Sequence, residues 1–132
     1  MAAIRRFEDI EAWQTARKLV RSVYEVTVND RFARDYALRD QIRRAATSAM
    51  ANIAEGYERN GNKEFMHFLY VAKASSGEVR SHLYVALDLD YISQEQFRTL
   101  SAQCREVSRK IYWLIRSLEE SQYKGPKYQS DT

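Results

Sequence analysis

The sequence predicts an all-α protein, folded as an antiparallel up-down-up-down four-helix bundle. Its 132 residues contain only four glycines and one proline, too few for the many turns of a β-sandwich or a βαβ fold. Four stretches repeat apolar residues at steps of three and four, the period of an amphipathic helix. Short connections make consecutive helices antiparallel neighbours, and a chain of this length forms one domain.

The first predicted helix covers about residues 9–27 and follows an N-terminal extension, residues 1–8. Its apolar face consists of Ile10, Trp13, Ala16, Val20, Val23, Tyr24 and Thr27. A polar connection over residues 29–35 leads to the second helix, about residues 36–57. The inner face of this second helix is mostly small, which lets a neighbouring helix approach closely. It consists of Leu38, Ile42, Ala45, Ala49, Ile53 and Gly56.

The third predicted helix covers about residues 62–89, with Asn62 as its N-cap. The fourth covers about residues 93–123 and opens with Ser93-Gln94-Glu95-Gln96, the pattern of a capping box. Its seam has the most regular periodicity in the chain and consists of Phe97, Leu100, Cys104, Val107, Ile111, Leu114 and Leu118. The bundle therefore spans residues 9–123, and residues 124–132 are expected to form a flexible tail.

Charge and cysteine content exclude several classes of protein. No stretch approaches the roughly 20 uncharged apolar residues of a membrane-spanning helix, and the N-terminus lacks the apolar region of a secretory signal. A single cysteine, Cys104, excludes an internal disulfide and a cysteine-cluster metal site. We therefore expect a cytoplasmic protein with no membrane partner. The formal net charge of +3 permits a polyanionic partner without requiring one.

The fourth predicted helix carries a stripe of arginines opposite its apolar seam. At 100° per residue its members fall within about 40° of one another. The stripe consists of Arg98, Arg105, Arg109 and Arg116, bordered by Tyr112 and Trp113. Guanidinium groups bind phosphates and aromatic faces stack on unpaired bases, so this stripe is the candidate nucleic-acid surface. The alternatives are an ordinary solvated face or a subunit contact through Trp113.

Polar residues also flank the apolar faces of the second and third predicted helices. They are Gln41, Arg44, Ser48, Asn52 and Glu55 on the second helix, and Ser75, Glu78 and His82 on the third. We expect a hydrogen-bonded network in which Arg44 pairs with Glu78, and Asn52 with Glu55 or a backbone group. Such a network would fix the register of a helix or subunit interface; the alternative is a polar pore or ligand site on a ring axis.

Enzymatic chemistry has no support in the sequence. Glu64 and His67 have the Glu-x-x-His spacing of di-iron bundles, but a second such pair is missing. Cys104 lies on an apolar seam, where a buried thiol is inert. Gly-rich phosphate loops and His-Glu-x-x-His motifs are absent. We therefore expect no catalytic residues, no cofactor and no metal.

Two segments of the chain resemble a known family. They are FEDIEAWQTARKLV and QIRRAATSAMANIAEGYERNGNKEFMHFLYVAKASSGEV, and the most specific part is the Asn52–Gly56 stretch. They are similar to the four-helix-bundle family named for proteins encoded in intervening sequences of bacterial large-subunit (23S) rRNA genes. The likeness covers about residues 7–118. One departure is Met50, which stands where many members have proline, so a kink there is not expected.

The resemblance implies a small helical bundle without established enzymatic activity that assembles into a homo-oligomeric ring, a homopentamer, and contacts nucleic acid. A related group consists of accessory proteins of diversity-generating retroelements, which contact RNA and a reverse transcriptase. We therefore expect a non-enzymatic oligomer that binds RNA or DNA through its basic outer face. The alternative is a protein-interaction scaffold that binds itself and a protein partner, with no nucleic-acid role.

Overall fold

The structure, a computed structural model, describes residues 3–123 and is all-α in that range. A 3-10 turn at Phe7–Asp9 precedes the helices, which are α1 (Glu11–Thr27), α2 (Asp30–Arg34), α3 (Tyr36–Glu58), α4 (Asn62–Asp88) and α5 (Gln94–Tyr123). The predicted all-α class is confirmed. The predicted tail, residues 124–132, lies outside the described residues. Within them, no helix is both long and apolar enough to cross a membrane.

One apolar core joins the four long helices. Helix α1 contacts α3 and α5, and α4 contacts the same two helices. The inner faces predicted for α3 and α5 are confirmed, because all six α3 positions and the centre of the α5 seam are buried. The fully buried side chains include Leu19, Ile42, Leu69, Leu83 and Ile111.

The buried face of α1 differs from the predicted one. Leu19 and Val26 are buried, whereas Tyr24 is 41% exposed. The core face therefore follows Ala16, Leu19, Val23 and Val26, and the prediction for Tyr24 is wrong. The guanidinium group of Arg43 lies 4.5 Å from the centre of the Tyr24 ring, outside the core. This cation–π contact accommodates the ring at the surface.

Helix α2 occupies the segment that the sequence suggested as a polar connection. Its single apolar ring, Phe32, is completely buried and lies 5.3 Å from the ring of Tyr91, which follows α4. Asp35 ends α2 and caps α3, since its Oδ1 accepts a hydrogen bond from the backbone N–H of Leu38 at 3.2 Å. This segment is thus a packed corner of the bundle.

The predicted capping box at the start of α5 is confirmed. The backbone N–H of Ser93 donates to Oε1 of Gln96 at 2.8 Å, and the N–H of Gln96 donates to Oγ of Ser93 at 3.0 Å. The prediction that Asn62 caps α4 is wrong. Asn62 is the first helical residue, and the residue before it is Gly61, whose φ of 102° suits glycine.

Candidate nucleic-acid interface

The arginine stripe of α5 lies on the outside of the protein. Helix α5 turns its seam of Leu100, Cys104, Val107 and Ile111 into the core, and this burial fixes its rotation. Residues that lie about 100–140° around the helix axis from Cys104 then face solvent. All four arginines of the stripe are exposed: Arg98, Arg105, Arg109 and Arg116.

Two of these arginines have carboxylate partners on their own helix. Arg109 forms two hydrogen bonds with Glu106, one of them from Nε to Oε2 at 3.2 Å. These bonds lower the pKa of Glu106 and raise that of Arg109. Nε of Arg116 lies 3.8 Å from Oε1 of Glu119. The stripe is therefore partly neutralised toward the C-terminal half of α5.

Arg98 and Arg105 carry the uncompensated charge of the stripe. Among the ion pairs of the described residues, neither has a carboxylate within 4.0 Å. Exposed guanidinium groups without a protein partner keep their donors available for an incoming phosphate. The two arginines of the stripe without a carboxylate partner therefore both lie in the N-terminal half of α5.

Two exposed aromatic rings adjoin the stripe. Tyr112 is 42% exposed and Trp113 is 59% exposed, and their ring centres lie 5.2 Å apart at 80°. Nη1 of Arg116 lies 3.5 Å from the Tyr112 hydroxyl oxygen, which orients that ring relative to the stripe. Each ring offers a surface on which an unpaired base can stack.

The predicted polar network forms around three of its members. The hydroxyl oxygens of Ser48 on α3 and Ser75 on α4 lie 2.9 Å apart. Nδ2 of Asn52 donates to the carbonyl oxygen of Ser48 at 2.8 Å and to its Oγ at 3.0 Å. The three side chains hydrogen-bond to one another across the contact between α3 and α4. This arrangement supports a role in fixing the register of the two helices rather than in binding a ligand.

The remaining network residues do not join this cluster, and the predicted pairing of Arg44 with Glu78 is wrong. Glu78 pairs with His82 on its own helix at 3.3 Å rather than with Arg44. Of the two partners predicted for Asn52, the backbone group is confirmed, and Glu55 pairs instead with Arg59 at 2.9 Å. Both observed pairs are four residues apart, where two side chains on one helix face are neighbours. Gln41 and Arg44 are exposed.

Cys104 has no features of a nucleophile. Its side chain is fully buried, and burial raises the pKa of its thiol to about 12. A thiol with this pKa is protonated near neutral pH, so it is unreactive. Its backbone carbonyl accepts a hydrogen bond from Oγ of Ser76 at 2.9 Å, which joins α4 to α5.

The Glu-x-x-His spacing on α4 is used for other contacts. Glu64 lies 3.8 Å from a guanidinium nitrogen of Arg59, and His67 packs edge-on against Phe68. Over residues 3–123, no three His, Cys, Asp or Glu side chains are grouped so that they could hold a metal ion.

Comparison with known proteins identifies the family. A sequence model described as "23S rRNA-intervening sequence protein" matches residues 8–113. The chain belongs to this family. The matched region includes the polar cluster and most of the arginine stripe, and ends at Trp113.

A solved structure is similar in fold. It is a protein of unknown function from the S23 ribosomal protein family of Bacteroides thetaiotaomicron VPI-5482, with a TM-score of 0.72 and 21% sequence identity. The match covers 79% of this chain and 97% of the Bacteroides chain. At this identity, the likeness shows the fold alone. None of the curated proteins matches the chain significantly.

Proposed function

We propose that this protein is a non-enzymatic, cytoplasmic helical bundle that binds RNA through the outer face of α5. The observation that carries the proposal is that one exposed helix face holds both the arginine stripe, in which Arg98 and Arg105 have no carboxylate partner among the described residues, and the Tyr112–Trp113 pair. Arginines bind the phosphates of any nucleic acid, but exposed aromatic rings favour unpaired bases, which single-stranded regions of RNA offer.

Charge reversal on α5 tests the proposal. We expect Arg105→Glu with Arg109→Glu to weaken binding of a single-stranded RNA oligonucleotide at least tenfold at 50 mM salt, because two phosphate contacts become repulsive. Wild-type affinity should fall steeply between 50 and 200 mM salt. A gel-shift titration measures both effects, and circular dichroism checks that helicity is unchanged.

The matched control for this test lies on α1 and α3. Lys18→Glu with Arg44→Glu changes the net charge by the same amount at two exposed positions away from α5. If both double variants lose affinity equally, binding follows net charge alone and α5 is not the binding face.

We also infer that the four long helices form an up-down-up-down antiparallel bundle. The support lies in contacts along each helix pair. Gly56 approaches Phe68, whereas Ser48, earlier in α3, contacts Ser75, later in α4. Contacts between α4 and α5 follow the same opposing order: Ser76 with Cys104, and Tyr84 with Phe97.

A second candidate function is self-assembly as a protein-interaction scaffold, and one surface favours it. Val28, 66% exposed, and Tyr24 continue into the part-buried Val20 and Met50. Together they form an open apolar surface between α1 and α3. Exposed apolar surfaces of this kind are typical of interfaces. We propose that a second copy of the chain covers this surface and closes a homo-oligomeric ring, with five subunits as the resemblance implies.

Mass in solution tests the ring. We expect the wild-type protein to elute as a multiple of the 15.5 kDa chain, and Val28→Glu to shift it toward the monomer, because a charge would be buried without a partner. The control is Val85→Glu, which changes an exposed valine on α4. A monomeric wild-type protein would contradict the proposal, as would equal effects of the two variants.

A further inference from the structure

We infer that the RNA-binding face extends from α5 onto α4, where Lys73, Gly77 and Arg80 receive the phosphate backbone of a single-stranded RNA. The inference rests on the proposed function of α5 and adds a second row of contacts to it. The RNA strand then contacts both the arginine stripe of α5 and the residues of α4, and it lies along the outer surface between the two helices.

The three residues share one side of α4, the side that faces α5. They are spaced by four and three residues, so they form one row along the helix. The adjacent Ser76 donates through Oγ to the carbonyl oxygen of Cys104 on α5 at 2.9 Å. This hydrogen bond places the row directly beside α5.

The unpaired arginines of α5 lie at the same junction. Arg105 follows Cys104 in the sequence, and Arg98 follows Phe97. The ring of Phe97 packs edge-on against Tyr84 of α4, with ring centres 4.8 Å apart. Each of these two contact points between the helices is therefore followed immediately by an exposed arginine.

Arg80 lacks a partner within the described part of the chain. It is half-buried, and its Nε is buried without a hydrogen-bond acceptor. Neither Arg80 nor Lys73 takes part in an ion pair among residues 3–123. Burial raises the pKa of the Cys104 thiol, and the positive charges of Arg80 and Arg105 lower it in part. Both guanidinium groups therefore lie near Cys104. A partly buried cation without a carboxylate partner is costly, and a phosphate at the surface would balance its charge.

Gly77 lies between the two cations of the row and has no packing role. It is exposed in the middle of a helix, and a Cβ built there would have no heavy atom within 4 Å. Glycine at such a position costs stability relative to alanine. It does, however, allow another backbone to approach the helix closely. A sugar-phosphate backbone passing over Gly77 would have Lys73 and Arg80 on either side.

The positive charges of this face favour RNA over a second copy of the chain. Lys73, Arg80, Arg98 and Arg105 have no carboxylate partner among the described residues, so two such faces would repel each other. A polyanion gains from all four at once and releases its condensed counterions on binding.

The test is the salt dependence of RNA binding by Lys73→Gln with Arg80→Gln, which removes both charges of the row. The probe is a single-stranded RNA oligonucleotide titrated by gel shift between 50 and 200 mM salt. We expect the slope of log affinity against log salt to become shallower by about 1.4, since each lost phosphate contact contributes about 0.7 for single strands. The matched control, Lys18→Gln on α1 with Arg44→Gln on α3, should leave the slope unchanged.

A second variant tests close approach without changing charge. Gly77→Gln adds a neutral side chain at an exposed position, so the fold should be retained by thermal melting. We expect at least threefold weaker RNA binding, whereas Ala51→Gln, at an exposed position on α3, should bind as the wild type. Wild-type affinity in Gly77→Gln would overturn the passage of RNA over Gly77.

The outcomes separate this inference from the proposed function. If the wild-type protein binds RNA and the α4 double variant has the slope of its control, the extension onto α4 is wrong while the α5 face stands. If the wild-type protein does not bind RNA, both fail. If Gly77→Gln reduces the mass in solution rather than RNA binding, the face is a contact between copies of the chain, and the inference is overturned.

Discussion

Phe32→Ala is expected to lower the free energy of unfolding by about 3–5 kcal/mol, the range for removing a buried phenylalanine. The ring is completely buried, although it belongs to the short helix α2 between two long helices. Truncation would remove its contact with Tyr91 and leave a cavity at the corner of the bundle. Urea denaturation followed by circular dichroism measures the loss.

An exposed aromatic residue nearby provides the control. Tyr36, the first residue of α3, is 64% exposed, and the guanidinium group of Arg39 lies 4.8 Å from its ring centre. Tyr36→Ala should cost about 1 kcal/mol or less, because only a surface cation–π contact is lost. Equal losses in the two variants would mean that α2 does not pack on the core as described.

The corner around Phe32 also fixes the connection between α4 and α5. The hydroxyl of Tyr91 donates to Oδ2 of Asp35 at 2.9 Å, and this bond raises the pKa of Tyr91. Arg31 lies 5.3 Å from the centre of the same ring. Asp35 thus accepts from both Tyr91 and the first turn of α3, so one carboxylate joins two connections of the bundle.

The long helices could be predicted from the sequence because each buries a regular apolar face. In α5, the seam from Leu100 to Ile111 repeats over several turns, and Ser93 and Gln96 mark where the helix begins. Long periodic segments with local start signals determine both the type and the position of a helix. The arginine stripe follows from the same regularity, since it lies opposite the seam.

Short segments and tertiary pairings could not be predicted in this way. Phe32 stands alone among charged residues, so no periodicity indicates its burial. On α1, Tyr24 and Leu19 both lie near the apolar side, and packing against neighbouring helices decides which is buried. Glu78 pairs with His82 on its own helix rather than with Arg44, and which of these pairs forms depends on side-chain geometry.

The basic row on α4 was missed for a related reason. Lys73 and Arg80 lie far in sequence from the arginines of α5, and they become neighbours only when α4 packs beside it. One signal was present. Gly77 lies in the middle of a helix, and a glycine there indicates a position where the absence of a side chain serves packing or function.

Gly56→Ala is expected to lower the free energy of unfolding by about 2–3 kcal/mol, because the added methyl group overpacks the contact between α3 and α4. A Cβ built at Gly56 would lie 2.7 Å from Cβ of Phe68 and 3.3 Å from the carbonyl oxygen of Phe65. Neither atom is the end of a flexible side chain, so the helices themselves must move apart. Urea denaturation at constant protein concentration measures the change.

Gly77→Ala is the matched control, because it makes the same chemical change in a helix with open space around it. It should raise the free energy of unfolding by about 0.5–1 kcal/mol, since alanine restricts the unfolded chain and favours helix. The opposite signs of the two effects separate close packing from helix propensity. If Gly56→Ala also stabilises the protein, α3 and α4 are further apart at Gly56 than the 2.7 Å contact requires.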